Sequence, residues 1–115
     1  MYQLQSTETF DDWLRHLPDR KGRAPILARL GSAHLGNLGD VKSTGDGLRE
    51  MRIHTGPGYR IYFAQRGRAL LLLLCGGDKA TQARDITKAH HILKDLGKEQ
   101  SDAQAQAIRH QCFPR

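Results

Sequence analysis

The sequence predicts a small α+β domain: an antiparallel sheet with two helices ahead of its main strands and one helix behind them. Three observations carry this. Residues 48–79, LREMRIHTGPGYRIYFAQRGRALLLLLCGGDK, hold three runs suited to strands, divided by turn residues. Residues 10–17 set Phe10, Trp13, Leu14 and Leu17 at the i, i+3, i+4, i+7 spacing of one helix face. Behind the strands, Ala83, Ile86, Ala89, His90, Leu93 and Leu96 repeat at helical spacing as far as Gly97.

Taken in chain order, Tyr2 to Gln5 forms a short edge strand. Ser6, Thr7 or Thr9 then caps the first helix, since each hydroxyl can accept from an amide that the first turn leaves orphaned. Pro18 ends it. A second helix starts either at Asp19, with Pro25 as a kink, or at Pro25 itself, where a first-turn proline loses no hydrogen bond. Its inward members are Ala24, Leu27, Ala28 and Leu35, with Ile26 or Leu30 beside them, and Gly31 weakens its interior. Residues 36–47 form a glycine-rich linker.

The first long strand, Leu48 to Ile53, ends at His54-Thr55-Gly56-Pro57-Gly58, too rich in Gly and Pro to remain in a ladder. In the second, Tyr59 to Gln65, alternation places Tyr59, Ile61 and Phe63 on one face and Arg60 and Tyr62 on the other. Gly67 supplies the positive φ of a tight hairpin. The third, Ala69 to Cys75, is almost wholly apolar, as a strand covered on both faces should be. The last helix is capped by Asp78 or Thr81. Residues 1–97 thus make one domain, followed by a polar tail, 98–115.

The 115 residues carry a formal net charge of +6. Six of the Lys and Arg residues but only two of the Asp and Glu residues fall between 48 and 79, so the excess lies on the strands and an acidic partner is expected. Two cysteines, Cys75 and Cys112, argue against a disulfide framework and for a reducing, cytoplasmic setting. The apolar run Leu70 to Leu74 is far short of the roughly 20 residues of a membrane span.

Much chemistry is excluded. The six histidines show no pair four apart on a credible helix, neither cysteine has a C-x-x-C partner, and so no metal or cofactor is implied. Glu50 is the only acid in the strands before Asp78, so no carboxylate pair stands there for glycosidase chemistry. What remains is basic. Glu50 and Arg52 share one face of their strand, opposite Arg49, Met51 and Ile53. If Arg60 and Tyr62 point the same way, that face carries two guanidiniums, a carboxyl and a phenol. Arginine can grip a phosphate bidentately, and Tyr62 could stack on a base.

Three stretches then bring a family into view: Leu48-Arg49-Glu50-Met51-Arg52, Gly56-Pro57-Gly58-Tyr59-Arg60-Ile61-Tyr62-Phe63, and Leu73-Leu74-Cys75-Gly76-Gly77-Asp78-Lys79. In this order they resemble the RelE/ParE superfamily of bacterial toxins, in its HigB-like addiction module killer branch, over roughly residues 8–96. The resemblance implies two N-terminal helices packed on one face of the sheet and a C-terminal helix. It also implies a type II toxin held inactive by a cognate antitoxin, often of helix-turn-helix type, through which alone operator DNA would be bound.

Relatives of the RelE type cut messenger RNA on the ribosome without a metal, whereas ParE relatives poison DNA gyrase. By position, Arg60 matches the arginine that contacts the scissile phosphate, and Lys79 a second phosphate-binding residue. Arg49 and Arg52 match a basic cluster ahead of it. The C-terminal tyrosine of the most active RelE members has no counterpart, since Lys79 is followed by Ala80-Thr81-Gln82-Ala83-Arg84-Asp85. Nor does the aspartate, tyrosine and histidine set of some HigB toxins, although His110 lies in the tail. His54 is the one histidine beside the basic strands, and histidine is a residue type suited to proton transfer near neutral pH. The expected function is mRNA cleavage that inhibits translation. The alternatives are a gyrase poison and a weakly active protein retained for its antitoxin.

Overall fold

The computed structural model describes residues 1–98 and 108–111, the last four as backbone. Its elements are β1 (Gln3–Thr7), α1 (Glu8–Arg15), α2 (Arg20–His34), β2 (Val41–Gly45), β3 (Leu48–Ile53), β4 (Tyr59–Arg66), β5 (Leu70–Asp78), a 3₁₀ turn (Lys79–Thr81), α3 (Gln82–Lys98) and β6 (Ile108–Gln111). The strands form one sheet in the order β2-β3-β4-β5-β1-β6. The architecture is α+β, and the sheet is mixed: β1 runs parallel to β5, with Leu4 beside Leu71 and Ser6 beside Leu73. The expected edge strand is therefore an interior one, with β6 antiparallel on its outer side. Of the predicted polar tail, Ile108–Gln111 is this strand. Residues 99–107 and 112–115 of that tail lie outside the described residues.

The expected linker is also partly strand. Val41–Gly45 pairs with β3 across a two-residue turn in which Asp46 and Gly47 both have positive φ, 54° and 81°. That is the geometry of the tight hairpin whose twist suits flanking strands, and Asp-Gly is its favoured sequence. A bulge between Ser43 and Gly45 shifts the register by one, which sets Val41 against Met51. The same shift brings the residue before β2, Asp40, up to Arg52, whose amide donates to the Asp40 carbonyl at 2.9 Å.

Two cores lie on the two faces. On one, Phe10 of α1 and Ile26, Leu30 and Ala33 of α2 pack on Met51, Ile53, Tyr59, Ile61, Phe63, Leu71 and Leu73. On the other, Ala89 and Leu96 of α3 cover Leu48, Tyr62, Ala64, Leu72, Leu74 and Cys75. β5 is thus apolar on both sides because it is covered on both. The α2 face differs from the expected one: Ala24, Ala28 and Leu35 are exposed, and the inward line runs through Gly22, Ile26, Leu30 and Ala33. Apolar and small residues ring this helix, so periodicity alone could not orient it. Gly22 marks the true face, since a Cβ there would stand 2.5 Å from the Tyr59 ring.

Thr7 caps α1, accepting from the Phe10 amide at 3.1 Å while its hydroxyl donates to the Leu74 carbonyl at 2.6 Å. One side chain therefore both starts the helix and ties it to β5. Asp19 caps α2 by accepting from the Lys21 amide, so Pro25 sits inside the helix rather than at its start. Asp78 and Thr81 form a reciprocal capping box at the 3₁₀ turn that leads into α3.

Candidate functional site

The antiparallel register of β3 and β4 sets Arg52 directly opposite Arg60, and Glu50 opposite Tyr62. These four side chains share the face that α3 covers, as alternation requires. The face is consequently not the solvated basic surface expected from the strands. Glu50 and Tyr62 are fully buried, and Tyr62 is not available for stacking on a base. Gln82, the first residue of α3, donates from Nε2 to Glu50 Oε2 at 2.8 Å and fastens the helix over the carboxyl group. Burial, then Glu50, push the Tyr62 hydroxyl above its ordinary range, so it remains neutral.

Arg60 is the buried cation of this arrangement. Its side chain is 9% exposed, its Nε lies 4.0 Å from Glu50 Oε2, and Nε and Nη1 have no hydrogen-bond partner among the described residues. A guanidinium held on a central strand is a fixed positive charge, and it draws an anion towards this end of the sheet.

Arg52 is less buried and is engaged. Its Nη2 donates to Asp40 Oδ1 at 2.8 Å, while His54 Nε2 lies 2.5 Å from Asp40 Oδ2. These two contacts, Arg52 first, hold the Asp40 carboxyl down at about 2, and Asp40 in turn raises Arg52. Arg29 of α2 braces the same corner, donating to the carbonyls of Arg52 (2.5 Å), Leu38 (2.8 Å) and Asp40 (3.4 Å). Burial lowers the Arg29 pKa and Asp40 opposes it. Lys79 is exposed at the same end of the sheet, with its Cβ 3.5 Å from where a Cβ on Gly58 would lie.

The structure therefore brings Arg52, His54, Arg60 and Lys79 to one end of the sheet, around the β3–β4 turn. It does not bring Arg49 there. Arg49 points to the opposite face, its guanidinium 5.4 Å from the centre of the Phe63 ring. His110 lies in β6, described as backbone alone. Asp40, Arg29 and Gln82 were missed by the sequence reading. Asp40 alone had a partial signal: reading Asp46-Gly47 as a hairpin turn pairs its segment with β3, but counting back without the bulge sets it against Ile53, and the bulge between Ser43 and Gly45 moves it to Arg52. Gln82 and Arg29 reach the site through helix packing, which leaves no local pattern.

Among the described residues no group of three or more His, Cys, Asp or Glu could hold a metal ion. No helix among them is long and apolar enough to cross a membrane. Cys75 is buried, and burial, then Asp85, push its thiol up to about 12, which makes it a poor nucleophile.

An uncharacterized protein of Haemophilus influenzae is 45% identical to this chain over 95 residues, which span 83% of this chain and 96% of that protein. The chain belongs to that protein's family. No protein-family model matches the sequence.

Acid titration gives a direct test of the Asp40 clamp. Folding favours its ionised form, so the contribution is complete above the ordinary carboxylate pKa of about 4. It is lost as the pH falls towards about 2. Comparing thermal unfolding of the wild type and Asp40→Asn across this window should show a steeper loss in the wild type. Parallel profiles would mean that Asp40 is not clamped in solution.

Proposed function

We propose that the protein is the toxin of a type II toxin–antitoxin pair, of RelE/ParE type, and that it cleaves messenger RNA on the ribosome. The observation that carries this is the pairing of Arg60, buried with unpaired guanidinium nitrogens, with Arg52, His54 and Lys79 around one end of the sheet. The sequence stretches that resemble the superfamily supply Arg52, Arg60 and Lys79, with His54 lying between the first two of them, and the α+β architecture with helices on both faces is compatible with it.

In this reading Arg60 and Lys79 bind the scissile phosphate and stabilise the charge that grows on its free oxygens. The RNA 2′-oxygen attacks phosphorus, and His54 takes the 2′-hydroxyl proton. The bond from phosphorus to the 5′-oxygen breaks, and that oxygen takes a proton from solvent. A 2′,3′-cyclic phosphate and a 5′-hydroxyl result, and His54 returns its proton to water. The reaction needs neither metal nor cofactor. The cognate antitoxin would present acidic residues to the exposed cations of this corner. One segment lying on one face of the sheet would not reach both Arg49 and Arg52.

The test is tightly controlled expression with transcript ends mapped within minutes. New 5′ ends inside translated messages are expected. An RNA with the attacking 2′-hydroxyl replaced by hydrogen should bind but resist cleavage. Growth arrest with intact transcripts would replace this reading by gyrase poisoning. The absence of arrest would leave a protein kept for its antitoxin.

A further inference from the structure

We infer that Asp40 is a positioning residue that fixes His54 with its ring proton on Nε2, leaving Nδ1 as the proton-accepting atom of the site. The inference rests on the endoribonuclease reading for its chemical consequence, and on geometry for its substance. Asp40 stands in the turn ahead of β2, and its backbone is held from two sides, by the Arg52 amide and by Arg29. Its side chain is therefore presented from a fixed point. Oδ1 accepts from Arg52 Nη2 at 2.8 Å, which turns Oδ2 towards His54 Nε2 at 2.5 Å.

An ionised carboxylate can only accept. The nitrogen facing it must therefore carry the proton, and a neutral imidazole then has a bare Nδ1. That nitrogen has no partner among the described residues, and the His54 side chain is 70% exposed, so a substrate hydroxyl can reach it. The charged groups around the ring are Asp40 on one side and Arg52 on the same strand. Arg29 lies behind Asp40, and Asp19 lies beyond the turn at Gly56, 3.6 Å from where a Cβ there would stand. Asp40 is the one group among them in contact with the ring. When Nδ1 takes the 2′-hydroxyl proton, the imidazolium forms against a carboxylate already in place and needs no reorganisation. Arg52 is thereby a positioning residue as well, since it holds Asp40 in place.

The experiment reads the ring tautomer and the reaction separately. In ¹H–¹⁵N long-range spectra of the full chain, without RNA, neutral His54 should be protonated at Nε2. In Asp40→Asn the amide oxygen should stay with Arg52, and its NH₂ should then face the ring and drive the proton to Nδ1. Cleavage by Asp40→Asn should fall about 100-fold. On a His54→Ala background the same substitution should cost less than about 2-fold, because Asp40 acts through His54. A purely structural role would lower both backgrounds alike. Protonation at Nδ1 in the wild type, or an equal loss with and without His54, would overturn the inference. Nε2 protonation in a protein that cuts no RNA would uphold the positioning and remove the reaction proposed for it.

Discussion

Under the proposed function, replacing Arg60 by alanine is expected to abolish the new transcript ends expected of the wild type, a loss of at least about 100-fold, the usual cost of removing a donor aimed at developing charge. The substitution also has a structural consequence. Glu50 is fully buried, with Gln82 on one oxygen and Arg60 as its nearby cation. Removing one member of such a pair typically costs about 3–5 kcal/mol, because the other group stays behind without compensation. A protein of this size could lose its fold on that account alone.

Arg60→Lys separates the two effects. Lysine keeps the charge beside Glu50 but lacks the planar fork that can hold two phosphate oxygens. The lysine variant is expected to melt near the wild type and still to lose most of its cleavage. Wild-type cleavage by a folded Arg60→Lys protein would exclude bidentate recognition of phosphate, and with it the central element of the proposed site.

Gly76→Ala is expected to destabilise the fold by about 1–3 kcal/mol, the range for forcing added volume into a packed core. Gly76 and Gly77 are adjacent in β5 and face opposite sides. A Cβ on Gly76 would lie 2.3 Å from the Trp13 ring, and one on Gly77 would lie 1.8 Å from Asp85 Oδ2. Neither neighbour can give way cheaply. Trp13 is held between Phe10 and Tyr59, with ring centres 5.8 and 6.3 Å away. Asp85 is buried and accepts from the Thr81 hydroxyl at 2.5 Å.

The two glycines therefore let α1 and α3 approach the same strand from its two faces, next to the partner position of Arg60 on Gly77. Trp13 is the sole tryptophan, so its fluorescence reports the disturbance directly. Urea unfolding should show the loss for Gly76→Ala together with a shift towards exposed indole. The same substitution on a Trp13→Ala background should cost less than about 1 kcal/mol, since the obstructing ring is gone. An equal cost on both backgrounds would mean that the clash is not what makes glycine necessary.

Much of this fold was legible before any coordinates, for local reasons. The three central strands, their turns at His54–Gly58 and Gly67, and the division of β4 into Tyr59, Ile61 and Phe63 against Arg60 and Tyr62 all follow from alternation and turn chemistry within a few residues. So do the start of α1 beside Thr7 and the start of the last helix beside Asp78 and Thr81. The inward line of α2 did not follow, because its apolar and small residues are spread around the helix and form no orienting stripe. Strand β2 did not either: its glycines were read as loop, although Asp46-Gly47 marked a hairpin.

The sequence by itself determined which residue types stand on which strand, and that Glu50 shares a face with Arg52 and Arg60 with Tyr62, while the β3–β4 register set the two pairs on the same side. Only the tertiary structure decided how that face is packed. The packing of α3 buries Glu50 and Tyr62 and leaves Arg60 nearly enclosed with free donors, while Arg49 is committed to Phe63 on the far side. The β2–β3 register and Arg29 bring Asp40 to Arg52 and His54 from 12 and 14 residues away. Contacts at such separations depend on strand register and helix docking, which are set by the whole core and leave no mark in any short window of sequence.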